Sequence, residues 1–361
     1  MWWLWRRGMT LMFDRDGNKV ILAGEPNMHQ LNLGQSGTGK THHAVRTMEE
    51  LLDNGKRALV IDYSSSFSQE ELSRHGAQFL SHIMDPMHDI VYFDLEAVNL
   101  ELAADQIAAA IIHAFGIHGY KLERMVEDAC AAMIGSDKAF SFLKLVTMLE
   151  EAYDNGDTVS RQERQETQKT LERLLNRLRV TKALGSFIVR FADTEIPSGN
   201  HVDILQLSNV SPVVRSQFVN FCLSLLWENV RAGKGSPMYD AILLDEIQNL
   251  EISNDSTLYQ LLREGRKFGI QLILCTQYLS GYKPNEREAL MQAGTILFFR
   301  PTKGDLAWIS KLLEQETQYP WAKTLATLPR GYAVLKGNYY LNNSKRMSAV
   351  PLIVHSTTNA S

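Results

Sequence analysis

An α/β fold with a mostly parallel sheet and an inserted all-helical subdomain is the class this sequence predicts, and three observations predict it. Residues 29 to 62 read as strand, glycine-rich loop, helix and strand, the βαβ unit of a parallel sheet. Two later runs, Ala241–Leu244 and Ile270–Cys275, are short and apolar apart from Gln271, as strands buried on both faces are. From about Leu102 to Ala183, apolar residues recur at helical spacing instead.

Composition bounds the rest. A chain of 361 residues can bury a large core, either one enlarged domain or a core plus a subdomain. Hydrophobic residues at 45% and charged residues at 22% are ordinary globular usage and exclude a disordered chain. The net charge of −4 excludes a uniformly basic nucleic-acid binder, so any polyanion contact has to be local. Cys130, Cys222 and Cys275 sit in apolar runs without metal-ligand spacing and read as buried free thiols of a cytoplasmic protein. No apolar run approaches the ~20 residues a membrane span needs.

Taken in order, the chain opens on a tail with Trp2, Trp3 and Trp5, read as a small strand against the core or as a docking tail. Leu11–Phe13 and Val20–Leu22 flank a polar Asp-Gly turn, a hairpin pattern that completes residues 1–28. The first part of the core spans 29–100, with a strand before Gly34, a helix over Thr41–Leu52 and strands at Arg57–Asp62 and Ile90–Phe93. The helical insertion spans 101–185. Leu122, Met125, Val126 and Ala129 mark one helix, and Phe142, Leu145, Val146 and Leu149 another. Its last helix, Gln162–Ala183, carries Lys169, Arg173 and Arg177 on one stripe, within a segment of seven basic and three acidic residues. That stripe reads either as a polyanion contact or as a solvated or subunit-pairing face.

The second part of the core spans 186–355. Val202–Leu207 alternates as a strand, and Ser211-Pro212 opens a helix. A helix over Ser256–Phe268 is stopped by Gly269, and Ile270–Cys275 follows as a buried strand. A helix near Arg287–Gln292, a strand at Thr295–Phe299 and a terminal hairpin over Ala333–Tyr340 complete the alternation. Residues 356–361 read as a flexible tail.

Two stretches carry chemistry. Gly34-Gln35-Ser36-Gly37-Thr38-Gly39-Lys40-Thr41 fits the Walker A pattern. Glycines let successive backbone N–H groups turn around a polyphosphate, and the following helix adds its positive end. Lys40 would reach the β- and γ-phosphates and Thr41 would ligate Mg²⁺. Ala241–Leu244 followed by Asp245-Glu246 is the Walker B form: Asp245 would hold Mg²⁺ and Glu246 would orient and polarise the attacking water. The plain alternative is a strand that happens to end in acids.

In order, GQSGTGKT, LLDE, LLREGRKFGIQLILCTQ and LPRGYAVLKG form a set that resembles the HerA/FtsK superfamily of ring-forming, RecA-like ATPases. Conjugative coupling proteins and the ATPases of type IV secretion systems are relatives in that superfamily. The resemblance covers roughly residues 29 to 340, and Arg263–Gly269 running into Thr276-Gln277 is its most specific part. It implies a RecA-like core, ATP and Mg²⁺ as cofactors, and a homo-oligomeric ring, a hexamer, that moves duplex DNA through its pore. It also leaves open a secretion or conjugation ATPase that moves protein, or an ATP-switched scaffold for an effector, for example in phage defence. Gln277 matches the γ-phosphate sensor, and Arg266, or else Arg263, the arginine that enters the neighbouring subunit's site. The chain departs from the family in the short stretch before His29, where HerA has a β-barrel domain, and in Tyr63-Ser64-Ser65-Ser66, where many relatives have a proline and an acid.

Overall fold

The computed structural model describes residues 12–23, 27–96, 99–154, 168–169, 171–172, 175, 185–192, 201–231, 238–250, 252–253, 255–342, 344 and 346–356. In chain order the first elements are β1 (Met12–Asp14), β2 (Lys19–Leu22), β3 (Gln30–Leu33), α1 (Lys40–Asp53), β4 (Ala58–Asp62), α2 (Gln69–Arg74) and β5 (Leu80–Met84). There follow β6 (Val91–Glu96), α3 (Leu100–Phe115), α4 (Tyr120–Asp137), β7 (Ala139–Ser141), α5 (Phe142–Asp154), β8 (Phe187–Ala192), β9 (His201–Gln206) and α6 (Pro212–Arg231). The last part holds β10 (Ala241–Leu244), α7 (Thr257–Glu264), β11 (Gln271–Thr276), α8 (Pro284–Leu290), β12 (Thr295–Phe298), α9 (Lys303–Glu314) and α10 (Trp321–Ala326). It closes with β13 (Tyr332–Gly337), β14 (Tyr339–Leu341), β15 (Met347–Ser348) and β16 (Leu352–His355).

The chain divides into two compact units, one of residues 1–83, 199–205 and 239–361, the other of residues 84–198 and 206–238. In the first unit, thirteen strands among the described residues form one sheet in the order β15-β14-β2-β1-β16-β13-β12-β3-β11-β10-β4-β9-β5. Its centre, β12-β3-β11-β10-β4, is parallel, with Leu244 opposite both Ile61 and Leu274 and with Thr276 opposite Leu33. Every residue of β3, β4, β10 and β12 is buried, which is why β4 and β10 lack polar alternation; β3 alternates, but its Gln30 and Asn32 are buried and hydrogen-bonded to each other. Helix α1 lays Ala44, Val45, Met48 and Leu51 against Val60, Leu243, Ile273 and Cys275, each such large side chain contributing about 1.5–3 kcal/mol on burial.

The expected first hairpin forms, with Met12 opposite Val20. The terminal hairpin does not. Strand β13 pairs with β12 and β16 while β14 pairs with β2 and β15. One residue, Asn338, separates the two strands, too few for a two-residue reversal. Gly337 at φ +147°, with Gly294 O 2.6 Å from where a Cβ would sit, turns the chain aside there.

In the second unit, the helices expected around Leu122–Ala129 and Phe142–Leu149 form as α4 and α5, and most of the helix expected at Gln162–Ala183 lies outside the described residues. Among the described residues a three-stranded sheet, β6-β8-β7, accompanies them. The strand expected at Ile90–Phe93 belongs to this small sheet, where β6 runs parallel to β8. Its core is a ring cluster, with Phe142 and Phe221 at 4.8 Å, Phe187 and Phe218 at 4.8 Å, and Phe140 and Phe142 at 4.9 Å. Of the basic stripe, Lys169 is described, exposed in helical backbone, whereas Arg173 and Arg177 lie outside the described residues, as do the tryptophan tail and residues 357–361. Ser356, expected to begin the loose tail, sits 2.7 Å from the His43 ring through its hydroxyl. All three cysteines are buried and free. Among the described residues no helix is long and apolar enough to cross a membrane.

Candidate active site

The loop from Gly34 to Gly39 joins the end of β3 to the start of α1, and its neighbours hold it open. Gly34 N donates to Thr276 O at 3.2 Å and Gln35 N to Arg300 O at 2.9 Å, so the loop is tied to the ends of both flanking strands. Ser36 and Gly37 are exposed at the tip, and Gly37 adopts φ +74°. Gly39 adopts φ +118°, and Gly331 Cα lies 2.8 Å from where its Cβ would be. Gly331 N in turn donates to Thr38 O at 2.8 Å. The Leu328–Gly331 turn is therefore a second wall of the loop.

Lys40 begins α1 buried, its Nζ donating to Gly34 O at 2.6 Å and Gln35 O at 3.1 Å. Burial lowers its pKa, and the carboxylates of Glu246 and Asp245 oppose that shift. Thr41, the next residue, is half-buried on the first turn.

Asp245 follows β10, 4% exposed. Burial pushes its carboxyl up to about 7; a hydrogen bond from Ser64 Oγ at 2.7 Å opposes this, while Glu246 and Asp62 add to it. The Ser64 hydroxyl is delivered by Asp62, whose side chain accepts from the N–H groups of Ser64 at 3.0 Å, Ser66 at 3.2 Å and Phe67 at 3.0 Å. The role of this serine turn in bracing Asp245 escaped the sequence reading, although an aspartate at a strand end before three serines is a side-chain turn signal.

Glu246 adopts φ +54°, a left-handed conformation that costs a residue with a Cβ roughly 1–3 kcal/mol and persists only where the surroundings enforce it. Gln277 Nε2 donates to it, 3.0 Å from Oε1 and 3.0 Å from Oε2. Gln248 Nε2 donates to Oε2 as well, and Gln248 Oε1 lies 3.0 Å from Thr276 Oγ1. Gln248, not singled out from sequence, thus links the acid to the strand that carries Gln277.

Arg266 is not in this group. It precedes β11, whereas Gln277 follows it, and six strand residues at about 3.3 Å each separate the two by about 20 Å. There it lines a cavity of about 420 Å³ with Asn27, Leu262, Arg263, Gln292 and Gly294. It also acts on the nearby His29, which burial first and Arg266 second push down to about 4.

The cluster fits a magnesium–polyphosphate guest. A loop of N–H groups, a buried ammonium and a buried acid that an adjacent cation would return to its ionised form are complementary to one.

Strand order sets the loop after β3 beside β11 and two strands from the acids of β10. That adjacency defines a P-loop nucleotide-binding core. The chain belongs to the family described as Helicase HerA, central domain, whose model matches residues 13–226. Among solved structures, VirB4 of Thermoanaerobacter pseudethanolicus matches with a TM-score of 0.64 at 16% identity, over 98% of this chain and 97% of that one. The bacterial conjugative coupling protein TrwB, in its unbound form, matches with a TM-score of 0.59 at 15% identity, over 92% and 88%. TrwB in complex with ADP and Mg²⁺ gives 0.57 at 16%, over 92% and 87%. At these identities the likeness is one of fold. None of the curated proteins matches the chain in sequence.

Proposed function

We propose that this chain is a Mg²⁺-dependent ATP hydrolase that assembles as a ring, a hexamer, and moves duplex DNA through its pore. The observation that carries the hydrolase is the Glu246 carboxylate, braced in strained backbone by Gln277 on the strand next to the loop. A base fixed in this way can take a proton from water without reorganising. Lys40 leaves its two carbonyl partners for the β- and γ-phosphates, and the Gly34–Thr41 backbone donates to the same oxygens. Thr41 and Asp245 would hold Mg²⁺, which would supply positive charge against those oxygens. Gln277, released from Glu246 when a γ-phosphate arrives, reports its presence. Arg266 serves the next subunit's nucleotide, since it lies about 20 Å along β11 from its own.

Family membership supports the motor reading, and the complexes of TrwB with ADP and Mg²⁺ and with an ATP analogue support the nucleotide. The likeness to a conjugative coupling protein favours one second reading, the same engine working in conjugation or secretion on protein or nucleoprotein. The test is the ATPase rate with and without duplex DNA, on material of measured oligomeric state. DNA-stimulated turnover by a hexamer is expected. Slow turnover indifferent to DNA, with tight binding of a protein partner, would favour a nucleotide-switched scaffold and sink the DNA motor.

A further inference from the structure

The geometry points to a transition-metal site at the far edge of the main sheet, where His82 of β5 and His201 and Asp203 of β9 bind one ion of the Zn²⁺ class. Strands β9 and β5 end the sheet order, so they lie four and five strand spacings, about 19 and 24 Å, from the strand that feeds the phosphate loop. It is a site of its own. His201 and Asp203 are two apart on one strand and share a face, while Val202 and Ile204 on the other face are buried in the core. His82 joins them from the neighbouring strand.

Both rings converge on a single carboxylate oxygen. Asp203 Oδ1 is 2.8 Å from His82 Nδ1 and 3.2 Å from His201 Nε2. The three ligand atoms lie within 4.8 Å of one another. A tetrahedral ion with bonds of about 2.0–2.2 Å needs its ligand atoms about 3.4 Å apart, so small side-chain rotations suffice. The rings meet edge-on, 5.7 Å between centroids and perpendicular, which leaves room between the nitrogens.

A second feature goes beyond a chance histidine–aspartate contact. The other carboxylate oxygen, Oδ2, accepts from the hydroxyl of buried Tyr239 at 2.9 Å. A liganding carboxylate held by such an outer partner is how metal sites fix their donors. Two imidazole nitrogens and one carboxylate oxygen select Zn²⁺, Co²⁺ or Ni²⁺ over Mg²⁺ or Ca²⁺. Side-chain exposures of 59% for His82 and 38% for His201 give the ion a way in and leave a coordination position facing solvent. The bound ion cross-links β5 to β9 and fastens the edge of the sheet next to β4, whose last residue, Asp62, braces the serine turn under Asp245.

The test is a Co²⁺ titration of tag-free protein in excess Mg²⁺, which keeps the oxygen-donor site at Asp245 filled. One Co²⁺ per chain is expected, with the visible absorption of a nitrogen-ligated ion, displaced by Zn²⁺. His82→Ala and His201→Ala should each weaken binding at least 10-fold, and Tyr239→Phe should weaken it 10- to 100-fold. If the alanine variants fold poorly, His82→Gln with His201→Gln keeps the shape and the polarity. Zn²⁺ should then raise the unfolding temperature of the wild-type chain and leave that double variant unmoved. Absence of Co²⁺ binding, or binding and Zn²⁺ stabilisation that survive in the double variant, would overturn the assignment.

Discussion

Gln277 Nε2 stands 3.0 Å from each carboxylate oxygen of Glu246, although the two residues leave different strands, β11 and β10. The Gln277 amide therefore reaches both oxygens of the carboxylate, and Gln248 donates to Oε2 as well. Glu246→Gln keeps the shape and removes the base. It should bind ATP as the wild type does and lose hydrolysis by about 10²–10⁴-fold, the usual worth of a positioned base. Gln248→Ala should lower turnover less and leave nucleotide affinity unchanged. Nucleotide binding and phosphate release measured on the same preparations check both, and wild-type turnover in Glu246→Gln would remove the acid from the mechanism.

Gly39→Ala tests the loop's shape. The new methyl group would meet Gly331 Cα at 2.8 Å on a backbone already at φ +118°. The backbone strain alone is worth roughly 1–3 kcal/mol, and the contact adds to it. A lowered unfolding midpoint together with lost nucleotide binding is expected from a melt and a fluorescent-nucleotide titration. Unchanged binding would mean that the close approach of the Leu328–Gly331 turn is not needed.

Asp245 makes stability depend on pH in a stated direction. Its folded pKa, about 7, lies above the ordinary carboxylate value, because burial disfavours the charge. The folded chain therefore holds the proton more tightly than the unfolded chain, and stability falls as pH rises from about 4 to about 7. Asp245→Asn removes that dependence. Without Mg²⁺, the variant should exceed the wild type by at most roughly 4 kcal/mol at pH 8, the difference shrinking towards pH 5. Denaturant melts at several pH values measure it, and a difference that grows on acidification contradicts the assignment.

Arg266 is expected to act in trans. Protein carrying Arg266→Ala keeps its own loop, and protein carrying Lys40→Ala keeps its arginine. Mixed rings should recover part of the activity that each variant lacks alone. If mixed rings form and no ratio recovers hydrolysis, Arg266 works elsewhere, for instance in the cavity it lines with Arg263.

The sequence was most legible where local chemistry and burial agree. The glycines of the loop and the apolar runs of β10 and β11 announce themselves, because a buried parallel strand has no polar alternation to confuse the pattern. Partners distant in the chain were not legible. Thr276 and Gln248, or Ser64 and Asp245, meet only because strand order brings their ends together, and no spacing records strand order. Strands β13 and β14 read as a hairpin because both are apolar and adjacent; their separation depends on one tight approach of Gly337 to Gly294. Strands β5 and β16 gave little signal, the first because an edge strand is largely exposed and the second because four residues are too few to set a period.

Steady-state phosphate release from Mg²⁺-ATP, compared between wild type and Lys40→Ala of equal oligomeric state, tests the hydrolase most directly. Lys40 is the buried ammonium at the mouth of the loop, bound there to Gly34 O and Gln35 O. Phosphate release by the wild type, and none above background by the variant, is the expected result. Equal rates in the two proteins, or no release by a correctly assembled wild type with or without DNA, would contradict it.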